Sequence, residues 1–167
     1  EQVDEFIAIR ERYKGDDRLR LTSVKIFLDG VMENFAAVLL EPYLMPGDNR
    51  GISMIETTLL NRAVTLLDAA GFQVHFHAIG DGAVRQALDA VEEAIYENGD
   101  NGNRHHIAHL ELIDPADIPR FAELGVVANF QAAWAYADAY VTELTVPFIG
   151  EERARWLYPI KSVADAG

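Results

Sequence analysis

The chain contains no cysteine. Disulfides, thiolate metal sites and thiol nucleophiles are excluded together, and a reducing, cytoplasmic setting is the expectation. Lysine is nearly as scarce. Of 14 basic side chains only Lys14, Lys25 and Lys161 are lysines, against 27 acidic residues and a net charge of −13. A surface of that sign repels nucleic acid and anionic membranes, so neither is an expected partner and a small-molecule substrate is. The arginine bias fits either a high-salt host or a GC-rich coding sequence, and neither bears on chemistry. Long apolar runs are missing too, so no transmembrane helix is expected, and the polar stretch from Glu1 to Lys14 reads as a helix rather than a signal peptide. No P-loop, GxSxG elbow or HExxH helix occurs, and Gly80 and Gly82 lack the third glycine of a dinucleotide fingerprint.

What is present is a core. Half the residues are hydrophobic and 10% are aromatic, enough to exclude disorder. Short apolar strands alternate with amphipathic helices, the pattern of parallel α/β architecture. Val3, Phe6, Ile7 and Arg10 share a face of the first helix, over 1–14. A strand over 21–28 places Ser23, Lys25, Phe27 and Asp29 on one face and Thr22, Val24, Ile26 and Leu28 on the other. Residues 30–51 read as a long irregular loop. In the helix over 53–70, Ser53 and Glu56 form a capping-box pattern and Ile55, Leu59, Ala63, Leu66 and Leu67 form the buried stripe. A strand over 72–77 is followed by a helix that Asp81 can cap, with Val84, Ala87, Leu88, Val91 and Ile95 inward. Further strands are expected over 105–110 and 126–130, with a short helix over 117–124 between them. The remainder reads as helix interrupted near Pro147 and Pro159.

Chemistry concentrates in two strands. In HFHAIGDG (75–82), His75 and His77 share a face, and His77 stands at the C-terminal end, where parallel α/β folds assemble their sites. His75, one layer deeper, reads as interior filling or as a residue that orients its neighbour. In RHHIAHLE (104–111), His105, Ile107 and His109 fall on one face by alternation, and His109 lies at the productive end. His105 and His106 stand at the other end and read as ordinary, solvent-facing residues. Lys25 is a cation in an apolar strand, to be explained by an ion pair such as Lys25–Asp29 or by carboxylation to a metal ligand. Asp81 reads as a helix cap or as a carboxylate behind a ligand histidine. An anion site at the turn and helix N-terminus after His77 is the remaining alternative.

The ordered set VKIFLDGV (24–31), EPY (41–43), GFQVHFHAIGDGAVRQALDA (71–90), HHIAHLELIDPADIPRFAELGVVANFQ (105–131) and YPIKSVADAG (158–167) resembles the middle of YtcJ-like proteins, amidohydrolase family 3 of the metal-dependent amidohydrolases. The resemblance covers nearly everything from Leu21 onward. It implies an α/β fold, a partial (β/α)8 TIM barrel of parallel strands comprising about strands 4–7 with their helices. It also implies a divalent metal, usually zinc, at the strand ends. Carried over, Lys25 (carboxylated in such sites), His77 and His109 become metal ligands, with Asp29, Asp81 and Gln131 as supporting or substrate-binding residues. The activity implied is hydrolysis of an amide or related C–N bond by a metal-activated water. The alternative is a non-catalytic barrel homologue with structural histidines and no metal.

Three departures stand out. Ala108-His109 replaces the family's Glu-His, and Gln131-Ala132 replaces its Gln-Pro. The His-x-His of strand one and the aspartate of strand eight are absent, so residues 1–167 are expected to form a single barrel fragment whose catalytic aspartate lies beyond residue 167. Such a piece is expected to be inactive alone and to associate into homo-oligomers through its open edges.

Overall fold

The computed structural model describes residues 2–13 and 15–167. Four strands form one parallel sheet in chain order: β1 (Ser23–Phe27), β2 (Gln73–Ala78), β3 (His106–His109) and β4 (Val127–Phe130). Helix α1 (Gln2–Arg12) precedes β1, and α2 (Thr57–Ala69), α3 (Asp81–Asn98) and α4 (Ile118–Glu123) are the crossovers between strands. Three short helices, α5 (Val146–Ile149), α6 (Glu151–Ala154) and α7 (Ile160–Asp165), follow β4. The expected arc of successive βα units is present. The expected ends of the first helix, Glu1 and Lys14, lie outside the described residues.

The sheet has two unlike faces. On one, Val74, Phe76 and Ile107 are buried with Leu60, Val64, Leu67, Ala87, Leu88 and Val91 in the main core under α2 and α3. On the other, the parallel register places Lys25, His75 and His106 in one row and Phe27, His77 and Ala108 in the next. This second face is the concave side of the barrel arc. Phe27 is 56% exposed there.

Helix α2 turns a different side inward than its sequence suggests. Leu59 and Leu66 are 57% and 47% exposed, and Leu60, Val64 and Leu67 are buried in their place. Adjacent Leu-Leu pairs leave the apolar period degenerate, and a polar contact decides it. Asp68 is drawn inward to meet Asn98, Asn101, Asn103 and His105. The turn-rich segment after α3 is therefore a clasp of asparagine donors on one carboxylate. The start of α2 also differs. Glu56 is itself the cap, accepting from the Thr58 and Leu59 N–H groups at 3.0 Å each, while Ser53 donates to the Ile55 carbonyl.

Residues 30–51 are irregular but not loose. Met32, Ala37, Leu39 and Tyr43 pack with Ile79, Leu112 and Ile149 in a second core above the strand ends. The segment is fastened to the turn after β2. The Val38 carbonyl accepts from the Gly82 and Ala83 N–H groups (2.9 and 3.3 Å), and the Leu40 N–H donates to Asp81 (3.0 Å). A side chain at Gly80 would put its Cβ 2.1 Å from the Val38 oxygen, so only glycine allows this approach. Gly80, not Asp81, is the cap residue of α3, and Asp81 is its first helical residue. The Val38 carbonyl occupies the helix N-terminus, which closes the anion-site alternative.

Candidate metal centre

At the N-terminal end of the sheet, His105 has both ring nitrogens engaged. His105 is buried rather than solvent-facing. Its Nδ1 accepts from the Val74 N–H (3.0 Å) and its Nε2–H donates to Asp68 (3.0 Å). Burial pushes the Asp68 carboxyl up, but hydrogen bonds from Asn98, Asn103, Asn101 and His105 outweigh it and hold it below its ordinary range. One row along the concave face, Lys25 Nζ donates to His75 Nε2 at 2.8 Å, and the His75 and His106 rings lie 4.0 Å apart. The expected Lys25–Asp29 pair does not form. Partial burial lowers the Lys25 pKa from its ordinary value.

At the C-terminal end the picture changes. His77 is 8% exposed, and its Nε2 is buried with no hydrogen-bond partner among the described residues. The ring also bonds the Gly30 backbone and stacks on Phe27 at 4.5 Å. A buried imidazole nitrogen left without a partner costs roughly 1–3 kcal/mol, so the protein holds it open against a penalty. Burial first, then the neighbouring His109 and Lys25 charges, lower its pKa to about 4, so the ring is neutral and able to ligate at physiological pH. Asp29 Oδ1 lies 3.8 Å from His77 Nε2, but the Asp29 carboxylate accepts from the Val38, Ile79 and Gly80 N–H groups. It therefore pins the turn that carries His77. Burial, partly offset by these bonds, raises its pKa to about 6.

His109 reaches the same place by a backbone distortion. In the parallel register it pairs with Ala78 and Phe130, whose side chains face the helices, so simple alternation buries His109 under the helix layer. Instead, φ is +85° at His109 and +55° at Leu110. Two consecutive left-handed residues, each costing on the order of 1–2 kcal/mol, break the pleat. The His109 ring swings to the concave side, 4.5 Å from the His77 ring, while Leu110 remains in the core. Its Nδ1–H donates to Gln131 Oε1 at 2.7 Å, and Trp134 stacks on it at 5.5 Å. A proton fixed on Nδ1 leaves Nε2 as the free donor atom, the arrangement that outer carboxamides and carboxylates impose on ligand histidines.

The structure thus brings His77, His109, Gln131 and Asp29 together. It places Lys25 one row away on His75, and Asp81 on the far side of the turn. The open Nε2 of His77 beside a tautomer-fixed His109 fits a divalent ion. Among the described residues no three His, Asp or Glu side chains converge on one point, so these two imidazoles form part of a ligand set. Sequence reasoning missed Phe27 and Trp134, which sandwich the two rings. It also missed Glu111, which is 4% exposed and has its pKa raised to about 8 by burial and by the neighbouring charges of Glu33, Asp29 and Asp138. A carboxylate between Leu110 and Leu112, two residues past a site histidine, was the available signal.

The profile described as Amidohydrolase family matches residues 1–167. Among curated proteins, the chain is 33% identical over 136 residues to Protein LONG AFTER FAR-RED 3 of Arabidopsis thaliana, covering 81% of this chain and 23% of that protein. It is 27% identical over 146 residues to the putative amidohydrolase YtcJ of Bacillus subtilis strain 168, covering 87% and 26%. The chain therefore spans about a quarter of the length of these relatives. Among solved structures, an uncharacterized metal-dependent hydrolase from Pyrococcus furiosus superposes with a TM-score of 0.79 at 30% identity, over 97% of this chain and 33% of that one. A metal-dependent hydrolase from Pyrococcus horikoshii OT3 gives 0.79 at 29% identity, over 98% and 32%.

Proposed function

The chain belongs to the amidohydrolase family, and on that premise we propose that it supplies part of a metal-dependent hydrolytic centre acting on an amide or related C–N bond of a small molecule. His77 and His109 would hold a divalent ion, zinc by the chemistry of the donors, and Lys25, if carboxylated, would add an oxygen. When bound, the metal supplies Lewis acidity and a water of lowered pKa. The observation that carries the reading is the buried, unpartnered Nε2 of His77 beside a His109 ring whose other nitrogen is fixed by Gln131.

The chain's own residues do the rest of the work assigned here. Gln131 keeps the proton of His109 on Nδ1. Asp29 fixes the turn after β2, and with it the direction of His77. Phe27 and Trp134 flank the two imidazoles and hold their rings in place. The proton-transfer residue is proposed to be an aspartate contributed from outside these 167 residues, so this stretch alone is expected to bind metal without turnover. Elemental analysis of tag-free protein tests the reading. Retained zinc that disappears in His77→Ala is the expected result. Wild-type protein with no metal above buffer background would favour the rival reading, in which every histidine is structural.

A further inference from the structure

A cavity of about 310 Å³ opens beside the candidate metal centre, and Trp134, whose ring stacks on His109, forms one of its walls. Three carboxylates line it. Glu33 comes from the short helix Met32–Asn34, Glu111 from the segment just after β3, and Asp138 from the stretch before the π-helical turn Tyr140–Thr145. Tyr140 and Tyr158 complete an aromatic lining with Trp134. Asp138 accepts from the Val141 N–H at 3.0 Å. The side chains of Glu33 and Glu111 make no hydrogen bond or ion pair among the described residues, and no lysine or arginine lines the cavity.

Glu111 is the decisive group. It is 4% exposed, unpartnered and faces this cavity. A carboxyl group at that depth beside two more carboxylates is ionised only when a positive partner meets it, and without one it holds its proton. A fold keeps such an arrangement when something positive completes it. A group that spreads its charge over several contacts, against aromatic faces that attract cations, suits the lining.

We propose that this cavity receives a cationic group of the substrate, an ammonium or guanidinium, with Glu111 at its base and Glu33, Asp138 and the three aromatic rings around it. Resting on the hydrolytic reading above, this makes the substrate a cationic amide or related C–N compound whose charged end lies in this cavity while its scissile bond faces His77 and His109. An anionic substrate is disfavoured by all three carboxylates.

Titration of the full chain with benzylammonium, benzyl alcohol and phenylacetate, followed by tryptophan fluorescence and calorimetry, tests the proposal. Benzylammonium is expected to bind at least about tenfold more tightly than benzyl alcohol, with phenylacetate weaker than both. Glu111→Gln and Glu33→Gln are each expected to weaken benzylammonium at least about threefold and to leave benzyl alcohol unchanged. Glu33 is half-buried, so Glu33→Gln decides the matter if Glu111→Gln fails to fold. Equal binding of the three probes, or benzylammonium affinity unchanged in both variants, overturns the proposal. His77→Ala separates it from the metal reading. Cation selectivity that survives in His77→Ala shows the cavity to be independent of the metal, whereas cation selectivity in a wild-type chain that binds no zinc upholds the cavity and sinks the metal centre. Zinc binding without cation selectivity does the reverse.

Discussion

The two ends of the sheet use the same residue type to opposite ends. At the N-terminal end, His105 is buried and both ring nitrogens are satisfied, one by the Val74 N–H and one by Asp68, which is itself ringed by three asparagines. At the C-terminal end, His77 is nearly as buried, yet its Nε2 has no hydrogen-bond partner among the described residues. Its neighbour His109 is brought alongside by a strained backbone rather than by the pleat. A satisfied buried histidine holds a fold together. An unsatisfied one, supported by strain elsewhere, is held ready for something else. The contrast separates structure from function better than burial does, because burial alone scores the two rings alike.

The largest expected effect lies at the satisfied end. Asp68→Ala leaves three asparagine donors and His105 without their acceptor and is expected to cost about 3–5 kcal/mol, read as a lowered urea midpoint. His77→Ala should cost only about 1–2 kcal/mol in the same metal-free experiment, because the Gly30 bond and the Phe27 contact are lost but no hydrogen bond at Nε2. Equal losses in the two variants would erase the distinction between the ends. Next in size is Gln131→Leu, which frees the Nδ1 proton of His109. It is expected to weaken zinc about 10- to 100-fold by competition with a chromophoric chelator, with little change in stability.

A smaller effect is a pH dependence. The folded values of His75 and His77, each about 4, lie below the ordinary imidazole value of 6.5, through burial first and neighbouring positive charge second. The unfolded chain therefore takes up these protons first. Their contribution to stability is fully present above pH 6.5 and is lost as the pH falls toward 4. Urea midpoints should decline across that window, and the decline should shrink in the double variant His75→Gln, His77→Gln. NMR titration of the metal-free chain should likewise show both rings neutral at pH 6.

Much of the architecture was legible before any coordinates. Alternation and glycine-punctuated helices marked four βα units, and His77 occupied an informative place at a strand end, whereas Gln131 was pointed out only by the family resemblance. Two kinds of information were not local. The inward face of α2 is chosen by Asp68 reaching asparagines some 30 residues away, which no apolar period encodes. The direction of His109 depends on positive φ at two non-glycine residues, where alternation sends the ring to the wrong face. The seating of residues 31–39 against Gly80 likewise turned an expected open loop into a second core.

A zinc isotherm recorded on the tag-free chain and on His77→Ala, His109→Ala and His106→Ala tests most directly which end of the sheet carries the function. Affinity is predicted to fall at least about tenfold in the first two variants and to stay at the wild-type value in His106→Ala. Zinc affinity that is indifferent to His77 and His109, or that is lost with His106 instead, would contradict the assignment.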